Sequence, residues 1–261
     1  MSEGMWNFSA TGQNTGEFNM QFDEMLVRRL LEGQGLPTVR VYRWNPWAIS
    51  LGYHQDISDI DVSLCQRDGI DVVRRPTGGR AILHAEELTY SVVMPADRRG
   101  IHQVYNEISK ALVEGLREFG VPVSLQRSQP DFARMYKNPS SIPCFSSSAR
   151  YEIEWNGRKL VGSAQRRYSG MGGDVVLQHG SILCGPAHRR LADYLVLPDD
   201  SVRESVQSGL DERTADLREA SGMPVDVEEL SDCLRKGFER TWGVTFRNIE
   251  SLSANGRIAH A

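Results

Sequence analysis

Two stretches of the chain carry side chains that could do chemistry, and the first is residues 72–84. It places an Arg-Arg pair, a Pro-Thr step and a Gly-Gly pair between two apolar, β-branched runs. This pattern predicts a strand, a sharp turn and a second strand, with Arg74 and Arg75 at the bend. Gly78 and Gly79 lack a Cβ atom, so the backbone there can run close to a ligand and aim N–H groups at a carbonyl or a phosphate. Taken alone, the glycines also fit an ordinary turn, which is the simpler interpretation.

The second stretch begins at Cys144, which ends a proline-broken segment and precedes three serines. Polar surroundings of this kind would expose a thiol, so Cys144 is a candidate nucleophile. From the residues alone, a structural role for Cys144 is equally plausible. The other three cysteines lie in amphipathic helical patterns or after a strand, and we interpret Cys65, Cys184 and Cys233 as small buried hydrophobes. The chain has no C-x-x-C pair, so we expect all four to be free thiols.

Lys159 follows a predicted Asn-Gly turn and opens an apolar strand. Alternation along the strand should bury Leu160 on one face and send Lys159 to the other, toward a groove. The small side chains of Gly162, Ser163 and Ala164 would leave room for a narrow tunnel that accepts an eight-carbon chain. The competing interpretation is that Lys159 is a solvated lysine at a strand end. In that case Gly162, Ser163 and Ala164 only allow close contacts between strands.

Two histidines accompany these stretches. His84 ends the Gly-Gly motif, and for this residue a functional and a structural role remain equally open. His179 lies in a predicted strand, where we favour a satisfied structural histidine. Neither has a second metal-ligating side chain at a usable spacing, so the sequence predicts no metal site.

Taken together, four motifs resemble the family of lipoate–protein ligases and octanoyltransferases, which is related in fold to biotin–protein ligases. They are Arg-Arg-x-x-Gly-Gly-x-x-x-x-His, Leu-Thr-Tyr-Ser, Gly-x-Lys-x-x-Gly-Ser-Ala-Gln and Gln-His-Gly-Ser-Ile-Leu, and they occur in the family's order. The resemblance covers roughly residues 17–198. The chain most resembles the cysteine-dependent octanoyltransferases that use octanoyl-acyl carrier protein. These enzymes carry a Cys-Phe dipeptide shortly before the Gly-x-Lys motif, as this chain does at Cys144 and Phe145.

The resemblance implies a site and a reaction. Cys144 matches the family's nucleophile, and Lys159 would face the substrate carbonyl and stabilise a developing oxyanion. An octanoyl group would pass from octanoyl-acyl carrier protein to the cysteine, and then to a lysine of the glycine-cleavage H protein or of a lipoyl domain. Because the acyl group arrives as a thioester, no nucleotide cofactor is needed. The substrate-binding residues implied are Arg74, Gly78, Gly79, His84, Gly162, Ser163, Ala164 and His179.

Three other activities are compatible with the same motifs. An ATP-dependent lipoate–protein ligase would use ATP and magnesium to activate a free carboxylate, with Lys159 at the adenylate phosphate. An amidotransferase would move octanoyl between lipoyl-accepting proteins through the same cysteine. A non-enzymatic acyl-protein binder would have no need of both Cys144 and Lys159, which argues against it.

The elements expected to carry these residues form an α+β fold, with mixed, largely antiparallel sheets flanked by helices, similar to the catalytic domain of biotin/lipoate–protein ligases. We predict a catalytic domain over residues 1–198 and a helical segment packed on it over residues 199–261. The polar first sixteen residues suggest a loosely held start. Apolar spacing predicts helices over residues 18–31, 57–66, 101–119 and 226–242. Strands are predicted around residues 39–42, 47–53, 72–75, 81–84, 87–93, 121–125, 151–155, 159–164 and 175–183, with the first two paired across an Asn-Pro turn.

One segment departs from the family pattern. Residues 169–173 are unusually rich in glycine, which predicts a longer loop and leaves the alignment of Arg167 open.

Composition limits the class of protein. The chain has 261 residues, 40% of them hydrophobic and 25% charged, which is typical of a globular protein. It contains no apolar run long enough to span a membrane and no secretory signal pattern, so we expect a cytoplasmic protein that binds no membrane. A formal net charge of −4 argues against nucleic acid as a partner. One basic motif contains Arg74, Arg75 and Arg80, and a second contains Arg158, Lys159, Arg166 and Arg167. If the fold brings the two motifs together, they form a basic mouth that would suit an acidic protein partner or a phosphate-bearing arm. The alternative is two solvated basic faces that never meet.

Overall fold

A computed structural model describes residues 5–125 and 152–248 of the chain. In these ranges the strands are β1 (Trp6–Asn14), β2 (Thr38–Trp44), β3 (Ala48–Leu51), β4 (Asp71–Arg74), β5 (Ile82–His84), β6 (Glu87–Pro95), β7 (Ser124–Leu125), β8 (Ile153–Trp155), β9 (Arg158–Gly170), β10 (Gly173–Leu183) and β11 (Phe246–Asn248). The α-helices are α1 (Gly16–Leu31), α2 (Val62–Arg67), α3 (Ile101–Glu118), α4 (Asp200–Arg213), α5 (Leu217–Ser221) and α6 (Val227–Trp242). Two 3₁₀ segments cover Ile57–Asp59 and Pro186–Tyr194.

The strands form two sheets. The large sheet has the order β11-β1-β2-β6-β10-β9-β8-β7, and the small sheet has the order β4-β3-β5. The pairs β1–β11, β1–β2 and β3–β4 are parallel, and the other pairs are antiparallel. The predicted α+β class, with mixed and largely antiparallel sheets flanked by helices, is therefore confirmed.

One face of the large sheet is covered by α3 and α6. The apolar residues of α3 recur at helical spacing, and Val104, Ile108 and Leu112 are fully buried against the sheet. The two helices approach closely at Gly115 and Gly237: a Cβ atom added to Gly237 would lie 2.4 Å from the Gly115 backbone nitrogen. This contact requires a residue without a side chain.

The opposite face of the large sheet is covered by α1 and by the small sheet. The hydroxyl of Thr15 accepts a hydrogen bond from the Phe18 N–H at 3.3 Å and so caps α1. Phe22 and Leu26 of this helix pack on the strand residues Val93 and Leu177. Because the small sheet stands beside α1 on the same face, a space is left between the two sheets.

Three predictions of local structure are wrong. The prediction of a loosely held start fails for residues 6–14, because β1 pairs with β2 and buries Trp6 and Phe8 in the main core. The strands before and after the Asn-Pro turn do not pair with each other: β2 joins the large sheet and β3 the small one. Residues 169–173 are not a long loop, since β9 and β10 pair up to Gly170 and Gly173, and Arg167 lies within the ladder opposite Val176.

The segment after residue 198 contains α4, α5, α6 and the short strand β11. The sequence pattern predicted α6 but not β11. Leu230, Leu234, Phe238 and Trp242 of α6 belong to the same apolar cluster as α3 and the large sheet. No helix within the described ranges has the length and apolar character needed to cross a bilayer.

Candidate functional site

A cavity that is partly open to solvent lies between the two sheets and α1. Its walls combine apolar side chains, such as Trp44 and Ile82, with hydroxyl and imidazole groups. The lining residues are Met20, Tyr42, Trp44, Ser50, Arg75, Ile82, His84, Thr89, Gly162, Ser163, Ala164, His179, Gly180 and Ser181.

Five of the residues implied by the family resemblance meet in this wall. His84, Gly162, Ser163, Ala164 and His179 all line the cavity, although three different strands carry them. They meet because His179 pairs with Ala164 across β9 and β10, while β5 of the small sheet faces these strands. Gly162, Ser163 and Ala164 therefore border an observed cavity, and a tunnel for an eight-carbon chain stays a prediction.

A β-bulge in β9 sets the direction of Lys159. Opposite β8, Ile153 pairs with Val161 and Glu154 pairs with Lys159, so Leu160 is the extra residue. Leu160 and Val161 both enter the core under α3. Lys159 is consequently turned to the opposite face of the sheet, which is the face of Gly162.

The Lys159 ammonium makes an ion pair with the carboxylate of Glu152, and both side chains are almost completely buried. The backbone of Lys159 is also fixed, because its carbonyl accepts a hydrogen bond from the Ala215 N–H at 2.9 Å. Burial raises the pKa of Glu154, the ladder partner of Lys159, and the charge of Glu152 raises it further. A half-buried carboxyl group, that of Glu154, thus lies near the buried ion pair of Lys159 and Glu152.

A second polar group surrounds His84. The imidazole Nδ1 lies 2.8 Å from Glu87 Oε1, and Nε2 lies 2.7 Å from the hydroxyl of Ser50. Glu87 also accepts hydrogen bonds from the hydroxyls of Thr89 and Ser181. Each ring nitrogen of His84 therefore has a hydrogen-bond partner in the protein, and the imidazole tautomer sets the direction of each bond.

The indole of Trp44 stacks on His84, with ring centroids 4.0 Å apart and planes inclined by 12°. The indole N–H donates to Thr89 Oγ1 at 2.7 Å. Both rings in this part of the wall are therefore held in one orientation.

A third polar group is centred on Asp23 of α1. Its carboxylate accepts hydrogen bonds from Arg40 and Ser91, each at 2.8 Å, and lies 3.2 Å from His179 Nδ1. Burial lowers the pKa of His179 by more than the Asp23 carboxylate raises it. His179 Nε2 is 2.6 Å from the hydroxyl of Thr77, so this group ties α1 to the Gly-Gly motif.

The Gly-Gly motif itself lies beside the cavity wall. Arg75 is buried, and its guanidinium donates to the Ser50, Gly78 and Arg80 carbonyls at 2.8, 2.9 and 2.7 Å. A Cβ atom at Gly52 would lie 2.0 Å from the Gly79 carbonyl oxygen, so the loop packs directly on the end of the small sheet. Gly78 and Gly79 shape this loop and are absent from the set of residues that line the cavity within the described ranges.

The expected basic mouth is only partly formed. The two basic motifs do meet, because Arg166 donates to the Pro76 carbonyl at 2.9 Å. Arg75, however, is buried and hydrogen-bonded inside the protein, so the prediction that it meets an acidic partner is wrong. Arg74 is exposed at its strand end, although its guanidinium donates to the carbonyls of Gly52, Tyr53 and Gln55.

Cys144 lies outside the described residues. The three other cysteines are buried and free, as predicted. Burial raises the pKa of the Cys65 thiol to about 11 and that of Cys184 to about 12. Neither is suited to act as a thiolate nucleophile at neutral pH.

Sequence reasoning missed Glu87, Ser50, Asp23 and Glu152. A signal for Glu87 was present, because β6 reads Glu-Leu-Thr-Tyr-Ser, with polar residues at every second position of a strand that is buried on both faces. Alternating polar residues in a buried strand indicate a polar internal wall. No comparable signal marked Asp23, which reads as one of several acidic residues in an amphipathic helix.

Comparison with known families agrees with the geometry. A family model for the lipoyl protein ligase A/B catalytic domain matches residues 15–239. The relatives include proteins called octanoyltransferase LipM. That of Kyrpidia tusciae is 38% identical over 243 residues, covering 91% of this chain and 87% of the relative. That of Staphylococcus aureus is 32% identical over 255 residues, covering 95% and 91%.

Solved structures show the same fold. A bipartite lipoate protein ligase from Thermoplasma acidophilum, studied with its E2 lipoyl domain, superposes with a TM-score of 0.73 at 21% identity, covering 97% of this chain and 89% of the other. A lipoate-protein ligase A bound with ATP superposes with a TM-score of 0.72 at 24% identity, covering 97% and 91%.

Proposed function

The chain belongs to the lipoyl protein ligase A/B catalytic domain family, and we propose that it is an octanoyltransferase that modifies a lysine of a lipoyl-accepting protein. The donor is octanoyl-acyl carrier protein, and the acceptor is the glycine-cleavage H protein or a lipoyl domain. The observation that carries the proposal is the partly apolar cavity beside the strand of Lys159, in a chain whose relatives are called octanoyltransferases.

In the first half-reaction the Cys144 thiolate attacks the thioester carbonyl of the donor. A new C–S bond forms, the old C–S bond breaks, and the carrier's sulfur leaves as a thiolate, which takes up a proton from water. Exchange of one thioester for another is close to isoenergetic, so ATP is not required. Lys159 supplies positive charge to the carbonyl oxygen as negative charge develops on it.

In the second half-reaction the ε-amine of the acceptor lysine attacks the acyl-enzyme. A C–N bond forms, the C–S bond to Cys144 breaks, and the amine loses a proton. The amide product is more stable than the thioester, which makes this step favourable. The carbonyl requires the same stabilisation in both steps, so one lysine serves both.

The apolar part of the cavity lining supports an acyl chain as the ligand. Trp44, Met20 and Ile82 supply apolar surface, while His179 and His84 are already hydrogen-bonded to protein groups. Satisfied polar groups can border an apolar chain at little cost in free energy. The wall therefore suits a group that brings no charge of its own.

The test is to incubate the purified protein with octanoyl-acyl carrier protein in the absence of ATP and to record its intact mass. We expect one octanoyl group, labile to hydroxylamine and mapped to Cys144. Addition of a lipoyl-accepting protein should then move that group to its lysine as a hydroxylamine-stable amide.

Two variants sharpen this test. Cys144→Ala should lose the adduct and reduce transfer by about 10²-fold or more, since the covalent route is removed, whereas Cys65→Ala should transfer at the wild-type rate. Full activity of C144A would overturn the thioester mechanism. Loading that occurs only with a free acid and ATP would indicate a ligase, and loading only from an octanoylated lipoyl-accepting protein would indicate an amidotransferase.

A further inference from the structure

The cavity crosses the large sheet instead of following one strand. Its lining includes residues of β9, β10, β6 and β2, which are successive neighbours in that sheet. Adjacent strands lie about 4.8 Å apart, so the three steps from β9 to β2 span about 14 Å. The cavity is therefore longest in this direction, and different strands form its two ends.

The burial of the lining residues distinguishes the two ends. Of the described residues that line the cavity, Ser163 and Ala164 of β9 are partly exposed, and all the others are buried. At the opposite end, Tyr42 of β2 is 1% exposed and Trp44 is 4% exposed. The mouth of the cavity therefore lies at β9, and its closed end lies at β2.

This arrangement decides how an acyl chain enters. The thioester carbonyl is attached to a carrier protein and must stay within reach of a second protein, the acceptor, so the carbonyl remains at the mouth. The apolar tail points inward from β9 toward β2, where it is removed from water. The side chains at the closed end then contact the last carbons of the tail.

Hydrogen bonds hold two of the side chains at the closed end. The hydroxyl of Tyr42 donates to the Asp23 carboxylate at 3.2 Å, and the indole N–H of Trp44 donates to Thr89 Oγ1 at 2.7 Å. Met20 of α1 is 6% exposed and packs in one apolar cluster with both rings. Its thioether side chain is unbranched and is only a weak hydrogen-bond acceptor. Met20 is therefore the part of the closed end that can change without breaking a hydrogen bond.

We propose that Met20 sets the length of the acyl chain that the enzyme transfers, because it closes the inner end of the cavity. This inference rests on the proposed octanoyl transfer and identifies a residue that makes the reaction selective for eight carbons. A longer chain finds no room for its extra carbons, and a shorter chain leaves apolar wall uncovered. Met20 contacts the tail and not the reacting atoms, so it determines specificity and is not a catalytic residue.

The test is a competition between donors of different chain length. Met20→Ala removes the side chain beyond Cβ and extends the cavity at its closed end. The wild type and M20A each receive an equimolar mixture of octanoyl- and decanoyl-acyl carrier protein together with a lipoyl-accepting protein, and mass spectrometry gives the ratio of the two amide products. One methylene in a hydrophobic pocket changes discrimination by about 10- to 200-fold. We therefore expect the decanoyl-to-octanoyl ratio to rise at least about tenfold in M20A.

Both donors compete for the same folded molecules, so a loss of stability does not change this ratio. Met20→Phe places a bulkier and stiffer side chain at the closed end and should act in the other direction, raising the hexanoyl-to-octanoyl ratio above that of the wild type. If M20A does not fold, as judged by its thermal transition, Met20→Val takes its place and should give a smaller shift toward decanoyl.

Met25→Ala is the matched control, because it removes the same atoms from the same helix. Met25 packs on the cluster that contains Val175 and Leu177, and it is absent from the described lining of the cavity. The product ratio of M25A should equal that of the wild type.

Binding is also measured without any transfer, as the thermal stabilisation that octanamide and decanamide give to each protein. Octanamide should stabilise the wild type more than decanamide does, and M20A should reverse this order. These neutral probes carry the same chains and need no reacting group, so they test Met20 even if no acyl group is transferred.

Two outcomes would overturn the inference. One is a folded M20A that keeps the product ratio and the amide preference of the wild type. The other is an equal shift in M25A and M20A. Absence of transfer by the wild type from every donor counts against the proposed function, whereas transfer by the wild type with an unchanged ratio in M20A counts against the role of Met20 alone.

Discussion

At the scale of single residues, Asp23 holds the α1 side of the cavity together. Arg40, Ser91, Tyr42 and His179 all contact its carboxylate, which is completely buried. Burial by itself would raise the pKa of Asp23, but the charge of Arg40 and the hydrogen bonds from its neighbours outweigh burial, and the pKa lies below its ordinary value. Asp23 is therefore a carboxylate throughout the physiological range.

Asp23→Asn should lower the free energy of unfolding by about 3–5 kcal/mol at pH 7, because it leaves the buried guanidinium of Arg40 without its counter-charge. The pKa of Asp23 is lower in the folded protein than in the unfolded chain. The contribution of the Asp23 carboxylate to the free energy of unfolding is thus complete above about pH 5. It is lost as the pH falls through the pKa of Asp23 in the unfolded chain toward its lower pKa in the folded protein. Urea unfolding at pH 7 and pH 3 should show the difference between wild type and variant shrinking at the lower pH.

Glu24→Gln, one position along α1 at an exposed site, is the control and should change the free energy of unfolding by less than about 0.5 kcal/mol. A difference for D23N that stays constant between pH 7 and pH 3 would contradict the assignment of the effect to the Asp23 carboxylate.

The residues that sequence reasoning identified and those that it missed differ in one respect. Gly162, Ala164 and His179 were identified because each lies in a short contiguous motif. The partner of Asp23, His179, lies 156 positions away along the chain, and Arg40 lies in a different element. A contact of this range depends on which strands become neighbours, and local pattern does not report it.

At the scale of elements, the bulge at Leu160 decides what β9 presents to the cavity. In a regular strand Lys159 and Gly162 would lie on opposite faces, because side chains alternate. The extra residue brings them to the same face while Leu160 and Val161 both enter the core. Simple alternation separated Lys159 from Leu160 correctly, but it could not have predicted that Lys159 and Gly162 share a face.

The crossing of α3 and α6 provides an element-scale prediction. Gly237→Ala should destabilise the protein by about 1–3 kcal/mol, because the new methyl group overlaps the backbone of Gly115 and forces the helices apart. Gly209→Ala in α4 is the matched control: nothing lies within 4 Å of its added Cβ, so it should stabilise by up to about 1 kcal/mol through helix propensity. Thermal unfolding of both variants checks the prediction, and a G237A protein as stable as G209A would contradict the close contact.

Helices were predicted more reliably than strand partners. The apolar spacing of α1, α3 and α6 identified each helix to within a few residues, since an amphipathic helix is a local pattern. β1 was missed because its Gln, Thr and Asn residues are polar, and its identity as a strand comes from pairing with β2. The Asn-Pro pattern between β2 and β3 predicted a change of chain direction. It carries no information on which sheet the next strand joins, and β3 joins the small sheet.

At the scale of the whole molecule, the C-terminal segment and the catalytic region share one core. Leu230, Phe238 and Trp242 pack in the same cluster as Ile108 and Leu112 of α3. β11 adds a strand to the edge of the large sheet, beside β1. The described part of the C-terminal segment therefore packs in the same core as the residues before position 198.

A chain that ends at residue 198 should consequently fail to fold cooperatively, because the α3 face that α6 covers would be exposed to water. Far-UV and near-UV circular dichroism during urea unfolding should show no sharp transition, in contrast to the full chain. Phe238→Ala is a milder version of the same change and should cost about 3–5 kcal/mol. A truncated chain with the midpoint of the full protein would mean that residues 199–261 contribute little to the core.

The placement of the cavity between the two sheets links the supply of substrate to the lifetime of the enzyme. A ligand that binds only the folded chain raises the free energy of unfolding by about 2.7 kcal/mol at a hundredfold excess over Kd. An acyl chain held there contacts the large sheet, the small sheet and α1 together, so it opposes the opening that proteases exploit. Under the proposed function, limited proteolysis of the purified protein should therefore be slower with an octanoyl donor present than without it.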